Sequence, residues 1–430
     1  MLDASAASTN RRQALRSTAG LLLGTHRAWT GANDRVRLAI VGMGGRGTEL
    51  MRQAAKLPNV EIGALVDPDG RRTEQAAGIL QQVTQGAMKA KLESDMRRVF
   101  DDKNIDAVLI ANCNHWHALS GIWACQAGKD IYVEKPVSHN LFEGGKLVEA
   151  ARKYKRVAQG GTQRRSYGRF RKVIEMIHSG VIGDIYLAKW VFPGKRDSIG
   201  FKDPQTKPPA WLNWDLWVGP APMQPYHENL VHYNWHWFWD FGNGELGNNG
   251  IHLVDIARWA MRKELPVKIY STGGRFGYKD QAETPNTQTV TWTYADGSAM
   301  VGELRGLYTA EPMSWDFFGT KGHIRIESDE KFEIVLGRSK QLEPITESLP
   351  TINHCENFVQ AVRERRMDLL TAEIRETHLS TALCHLGNIS YRLGRELKFD
   401  PARNRFVADA EANQMLTRNY RKPYVVPEQV

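Results

Sequence analysis

Cysteine is scarce. The four present in 430 residues, Cys113, Cys125, Cys355 and Cys384, have no C-x-x-C spacing, which argues against both a zinc cluster and a disulfide scaffold and leaves them as small buried hydrophobes. No stretch of eighteen apolar residues occurs, so no membrane-spanning helix is expected. Runs of five like charges, internal repeats and low-complexity segments are also missing. The net charge of +9, from 57 Lys and Arg against 48 Asp and Glu, is therefore spread thinly, which argues against nucleic acid and for a mildly basic exterior. What the chain does have is length and aromatic residues. At 430 residues it exceeds what one core usually holds, so two domains are expected, and 42% apolar with 24% charged residues is a globular composition. Six of its thirteen tryptophans crowd between Trp211 and Trp239.

The first 34 residues read as an address. Asn10-Arg11-Arg12-Gln13-Ala14-Leu15-Arg16, followed by the small and apolar segment Ser17 to Gly24, resembles a twin-arginine signal, which carries proteins already folded. Ala14 stands where such signals usually have Phe, and no clean A-x-A site follows. The expected location is periplasmic or secreted.

Residues 35–158 carry the pattern of a dinucleotide domain. Val36-Arg-Leu-Ala-Ile-Val41 is a β-branched run ending in Gly42-Met43-Gly44-Gly45-Arg46-Gly47, and a helical pattern follows. In this strand, glycine turn and helix order, Gly42 allows the tight turn, Gly44 lets a pyrophosphate approach the backbone, and Gly47 packs helix on strand. A second strand, Val60 to Val66, ends at Asp67, where a carboxylate accepts both adenosine ribose hydroxyls and repels a 2′-phosphate. NAD is therefore expected over NADP, with Arg71 and Arg72 the features that soften the preference. Further strands at Asp106 to Ala111 and Asp130 to Val133 alternate with a helix from Ala118, so the expected fold is α/β, a doubly wound parallel sheet. Ligands of such sheets sit beyond the carboxyl ends of the strands, where Glu134 and Lys135 fall.

The Gly42-x-Gly44-x-x-Gly47 turn, His117, the segment Gly128-Lys-Asp-Ile-Tyr-Val-Glu134-Lys135-Pro136 and Gly250-Ile-His252-Leu-Val-Asp255 together resemble the glucose-fructose oxidoreductase / inositol dehydrogenase / rhizopine catabolism (Gfo/Idh/MocA) family, over nearly the whole chain after residue 35. The resemblance implies a second domain, residues 159–430, built on an open, mainly antiparallel sheet, with C-terminal helices and an arm packing back across both. It also implies that Lys135 polarises the reacting oxygen and that His252 is the acid/base. The family's carboxylate four residues before that His is here Asn248, followed by Asn249; an amide can hold an imidazole tautomer but cannot stabilise an imidazolium by charge. Asn112, His117, Glu134 and Gln163 are expected in the cofactor cleft, where Asn112-Cys113 replaces the family's usual Thr-Pro.

Other residues carry weaker signals. Asn114-His115-Trp116-His117 does not read as a metal site, because His residues two apart on a helix point to different faces. His232 to Trp239 alternates like a strand, with one aromatic row, so Trp235 and His236 are candidates for a carbohydrate platform together with Arg164 and Asn249. Asp255 is expected to pin its helix, not to act chemically. Polar and apolar residues alternate in Asp184 to Val191, Val267 to Ser271, Thr287 to Tyr294, Ala299 to Leu304 and Trp315 to Ile326. That reads as an antiparallel sheet with one exposed face, which commonly buries in a homo-oligomer, a dimer or tetramer. Three functions are consistent with these residues. The first is an NAD-dependent oxidoreductase acting on a secondary hydroxyl of a sugar, glycoside or cyclitol. The second is a glycoside hydrolase that oxidises transiently with tightly held NAD. The third is a dinucleotide-dependent sensor, against which the retention of Lys135 and His252 argues.

Overall fold

Val36–Val41 (β1) is buried at five of six positions, so a continuous apolar run lies in the middle of a sheet covered on both faces. The structure, a computed structural model, describes residues 35–328, 331–338, 340–341 and 350–430. The signal-like stretch of residues 10–25 lies outside them. After β1 come the helix Gly45–Ala54 (α1), strand Val60–Val66 (β2), helix Gly70–Val83 (α2), strand Lys91–Glu93 (β3), helix Arg97–Phe100 (α3), strand Ala107–Ile110 (β4), helix Asn114–Gln126 (α4), strand Asp130–Val133 (β5), helix Leu141–Lys153 (α5) and strand Ala158–Gly160 (β6). All six strands are parallel, in the order β3-β2-β1-β4-β5-β6. The chain runs outward one way from β1 to β3, returns to β4 beside β1, and runs out the other way. That reversal opens the crevice in which ligands of such sheets bind.

The second half follows as helix Gly168–His178 (α6), strand Ile185–Phe192 (β7), helix Trp214–Val218 (α7), helix Ile251–Met261 (α8), and strands Lys268–Gly274 (β8), Thr287–Thr293 (β9), Ala299–Arg305 (β10), Ser314–Gly319 (β11), Gly322–Glu327 (β12), Lys331–Leu336 (β13) and Lys340–Gln341 (β14). Helices His354–Glu364 (α9) and Ile374–Leu393 (α10), strands Leu397–Asp400 (β15) and Arg405–Phe406 (β16), and helix Ala410–Gln414 (α11) complete it. The ten-stranded sheet has the order β14-β13-β12-β11-β7-β10-β9-β8-β15-β16; its pairs are antiparallel except β7 with β10. One face buries Trp190, Trp292 and Trp315 against α6, α8 and α10, while Tyr186 on β7 and Tyr270 on β8 lie exposed. The expected single run from Trp315 to Ile326 is two strands joined by a tight turn.

Two sequence expectations change here. His232 to Trp239 is no strand: Asn234–Trp237 is a 3-10 turn. Side-chain bonds close it locally, Trp235 Nε1 donating to His232 O (3.1 Å) and His236 Nδ1 lying 2.6 Å from Tyr233 O. Its rings pack into a separate aromatic core with Trp214, Trp217, Tyr226 and Phe241. The helix carrying His252 is preceded by a wide π turn at Leu246–Gly250, so Asn248 and His252 do not share one regular helical face.

The parallel sheet is finished by distant chain. Ile374, Tyr424, Val426 and Val430 pack with Val41, Ile131 and Val133, and Cys355, Phe358 and Val359 pack with Leu38 and Ile62 on the other side.

Candidate active site

The carboxyl ends of β1, β2, β4 and β5 converge on a cavity of about 360 Å³. At its floor Gly42 turns with φ +89°, and a Cβ there would stand 2.5 Å from the Asn112 nitrogen. A Cβ on Gly47 would stand 1.7 Å from Gly42 O, so the first turn of α1 sits directly on the glycine turn. Gly47→Ala is expected to destabilise the protein by about 3 kcal/mol and abolish nucleotide binding, read from a denaturant midpoint and an NAD titration. No side chain caps α1 and its first turn holds no acid, which leaves its N-terminal amides for an anion. Of the turn residues, Gly42, Gly44 and Arg46 line the cavity, whereas Met43 is buried in the core and contributes only its amide.

Asp67 at the end of β2 accepts from the amides of Met43 (2.7 Å) and Asp69 (2.9 Å). Burial outweighs these bonds and raises its pKa to about 6. Arg71 forms a fork on Asp69 (3.0 and 2.9 Å) and lies 3.4 Å over the Trp211 ring, so it is committed elsewhere. Arg72 lines the cavity beside Gly44.

At the other end, Glu134 accepts from Arg46 Nε (2.6 Å), Tyr132 OH (3.1 Å) and its neighbour's amide (3.2 Å). Burial opposes its charge, but Arg46 and Lys135 prevail and hold it below the ordinary carboxylate range. Lys135 Nζ donates to Asn248 O (2.5 Å) and Asn248 Oδ1 (3.2 Å). Burial lowers its pKa, with Glu134 and Glu245 pulling the other way. His252 is buried off the cavity wall. Its Nδ1 has no partner among the described residues, and burial plus the charge of Lys135 holds it neutral, well below the usual imidazole pKa.

Two buried acceptors on residues of this wall, Asn112 Oδ1 and Gln163 Oε1, lack partners among the described residues. With the uncapped helix, the open space over Gly45 and the Asp67 carboxylate, they fit a dinucleotide with a carboxamide at the Lys135 end. Residues 36–162 match "Oxidoreductase family, NAD-binding Rossmann fold", and residues 181–426 match "Oxidoreductase family, C-terminal alpha/beta domain" of the same group. The chain belongs to the Gfo/Idh/MocA oxidoreductase family. It is 31% identical to the rhizopine catabolism protein MocA of Rhizobium meliloti over 290 residues, 67% of this chain and 77% of that one. It is 26% identical to a myo-inositol 2-dehydrogenase of Thermotoga maritima over 304 residues, 70% of this chain and 78% of that one. Among solved structures, levoglucosan dehydrogenase in complex with NADH and L-sorbose superposes with a TM-score of 0.64 at 16% identity, covering 85% of this chain and 98% of that one.

This Gfo/Idh/MocA chain is thus an NAD-dependent oxidoreductase, and its remaining candidates sort by position. Asn112, His117, Trp235 and His236 line the cavity. His117 sets its ring nitrogens 2.6 Å from Pro136 O and 2.8 Å from Asn112 O. Trp235 and His236 stack at 3.6 Å, and burial lowers His236 to about 3, so it is a neutral ring. Asn249 stands off the wall, its amide donating to Glu245, which Arg196 also grips (2.7 and 3.0 Å). Arg164 stands off the wall, 5.5 Å from the Trp315 ring. Asp255 is structural, as expected, forming a buried fork with Arg165 (2.8 and 2.9 Å). Among the described residues no group of His, Cys, Asp or Glu could hold a metal ion. Sequence reasoning missed Leu216, Trp217, Tyr233 and Tyr424 as wall residues; only the tryptophan density hinted at the first three.

Asp67 gives this family member a pH signature. A ribose diol seated on Asp67 would need the ionised carboxylate, so NAD affinity is expected to fall several-fold as pH drops through about 6, and Asp67→Asn should bind weakly with a flat profile in titrations. Because the folded pKa is raised, the stability of the nucleotide-free protein from this group runs oppositely: full at low pH and lost as pH rises through about 6.

Proposed function

We propose that this protein oxidises a secondary hydroxyl of a sugar, glycoside or cyclitol with NAD, as an exported homo-oligomer. The observation that carries the reading is the Lys135 ammonium, fixed by both oxygens of Asn248 at the end of the cleft where the stacked Trp235 and His236 form the facing wall. Indole faces suit sugar C–H faces, and the neighbouring polar atoms suit hydroxyls. When bound, nicotinamide supplies hydride acceptance at its C4. The protein's own residues do the rest. Lys135 holds the reacting oxygen and stabilises the alkoxide as its proton leaves. His252, kept neutral by burial and the charge of Lys135, is the base for that proton. Export is supported by the Arg11-Arg12 signal-like segment, and oligomerisation by exposed aromatic residues of the large sheet, Tyr186 and Tyr270.

The test is a screen of sugars, glycosides and cyclitols with added NAD, following absorbance near 340 nm and aglycone release together. Reduction of NAD in step with alcohol oxidation is expected. Aglycone turnover without net NADH would replace this reading with the oxidation-elimination hydrolase, and silence toward every polyol, with NAD bound, would sink it.

A further inference from the structure

A second cavity, of about 410 Å³, lies behind the cleft, and the two linings share no residue. The segment after β5 runs between them. Lys135 lines the cleft, and His139 lines the second cavity. Asn114 of the cleft wall donates to Asn243 of the cavity wall (3.3 Å), and Asn243 in turn donates to His139 O (3.0 Å), so the partition is bonded from side to side. The far wall is the last turns of α10 and the tail beyond α11.

The charged residues lining this cavity are two guanidiniums, Arg392 and Arg418, and two carboxylates, Asp240 and Glu411. Arg418 donates to Asp240 O (2.9 Å) and faces its carboxylate (3.5 Å), while Glu411 accepts from Arg395 (2.8 Å). Burial lowers His385 to about 3, and burial with the charge of Arg418 holds His139 well below the usual imidazole range. Both rings are therefore neutral, and the wall carries no net charge. Arg392 is exposed, makes no hydrogen bond or ion pair among the described residues, and sets its guanidinium 5.0 Å from the centre of the half-buried Trp239 ring. Beside this flat pair stand fixed amides, with Asn388 Nδ2 donating to Asn243 O (2.9 Å). Such a lining selects by chemistry. A phosphate would press its charge on Asp240 and Glu411, and a hydrocarbon would cover amides and a guanidinium without giving them partners. A ring with C–H faces and hydroxyl edges meets both demands, since the indole takes a face while amides, guanidinium and carboxylate take the hydroxyls. We propose that this cavity is a second, non-catalytic site for a neutral saccharide ring, parted from the cleft by the segment that carries Lys135. The proposal stands apart from what the cleft oxidises.

The test is calorimetric titration of the full chain with added NADH, which keeps hydroxyls from being oxidised during the measurement. The probes are glucose, galactose, xylose and N-acetylglucosamine, with glucuronate and inorganic phosphate as the charged arms. At least one neutral sugar is expected to bind with a Kd on the order of 1 mM, and Lys135→Met should leave that binding in place. Arg392→Ala and Trp239→Ala should each weaken it at least about tenfold, while NAD affinity stays within about twofold. Truncating the exposed Arg392 spares the fold, so this arm reads out even if Trp239→Ala does not fold. The proposal falls if no neutral sugar binds up to about 50 mM. It falls equally if phosphate or glucuronate binds in preference and is lost in Arg392→Ala, which would make the cavity an anion site. Sugar binding untouched by Arg392→Ala but abolished by Lys135→Met would place the sugar in the cleft alone and overturn the proposal while leaving the functional reading intact.

Discussion

Lys135→Met is expected to lower kcat about 10³-fold while leaving NAD affinity within about threefold. The asymmetry follows from place. We propose that Gly42, Gly44, the α1 amides and Asp67 set nucleotide affinity, whereas Lys135 lines the same cavity with its ammonium on Asn248. Methionine keeps the stem and removes the ammonium proposed to meet a developing alkoxide. Lys135→Arg should restore little, because a planar fork cannot occupy the seat of a compact ammonium against both Asn248 oxygens. The pH profile gives a second readout. Burial already lowers the Lys135 pKa, and Glu245 is one of two carboxylates opposing that shift. Activity that needs the ammonium should therefore decline on the alkaline side earlier than an ordinary lysine would dictate, and Glu245→Gln should move that limb to still lower pH. Single-turnover hydride transfer separates chemistry from release, and an unchanged rate in Lys135→Met would remove the residue from the mechanism.

Asp255→Ala is expected to cost about 3–5 kcal/mol of folding stability. Asp255 and Arg165 are nearly inaccessible, and the carboxylate also accepts from Ser380 OH (2.6 Å) on α10. Removing it leaves the buried guanidinium, 5.1 Å from the Trp259 ring, with only the more distant Glu376 carboxylate at 4.0 Å. Asp255→Asn should cost less, and Asp255→Leu combined with Arg165→Leu should recover much of the loss, since the penalty is the unpaired charge and not the missing pair. Urea denaturation of the three variants measures this, and a loss below about 1 kcal/mol for Asp255→Ala would show the charge to be solvated. The pair also ties the turn holding Gln163 to the helix holding His252, so kcat should fall with stability in Asp255→Ala.

The nucleotide end was legible because its constraints are local. A β-branched run, three glycines at fixed spacing and an acid at the end of the next strand occupy little chain, and each has one backbone solution. The catalytic end was half legible. Lys135 follows a strand and could be placed, but the wide turn at Leu246–Gly250 holds an extra residue, so Asn248 reaches Lys135 while Asn249 swings to Glu245. Counting in fours along a regular helix misassigns that pair. Alternation misled at His232 to Trp239 because rings buried on both sides of a compact turn print the same pattern as a strand between two layers. Tyr424 carried no signal: its role depends on meeting Trp116 and Asp215 from far along the chain, a contact no window of sequence contains.

The tail that seats Tyr424 also bears on how the protein is made. Val41, Ile131 and Val133 are among the earlier residues to leave the ribosome, yet they share a core with Ile374, Tyr424, Val426 and Val430. The nucleotide half therefore cannot seal as it emerges; it must wait, with apolar surface uncovered, until the second half has been synthesised and folded back. A fragment ending after β6 should be sticky and chaperone-bound instead of a miniature nucleotide binder, and the protein's first competent encounter with NAD belongs to the completed chain.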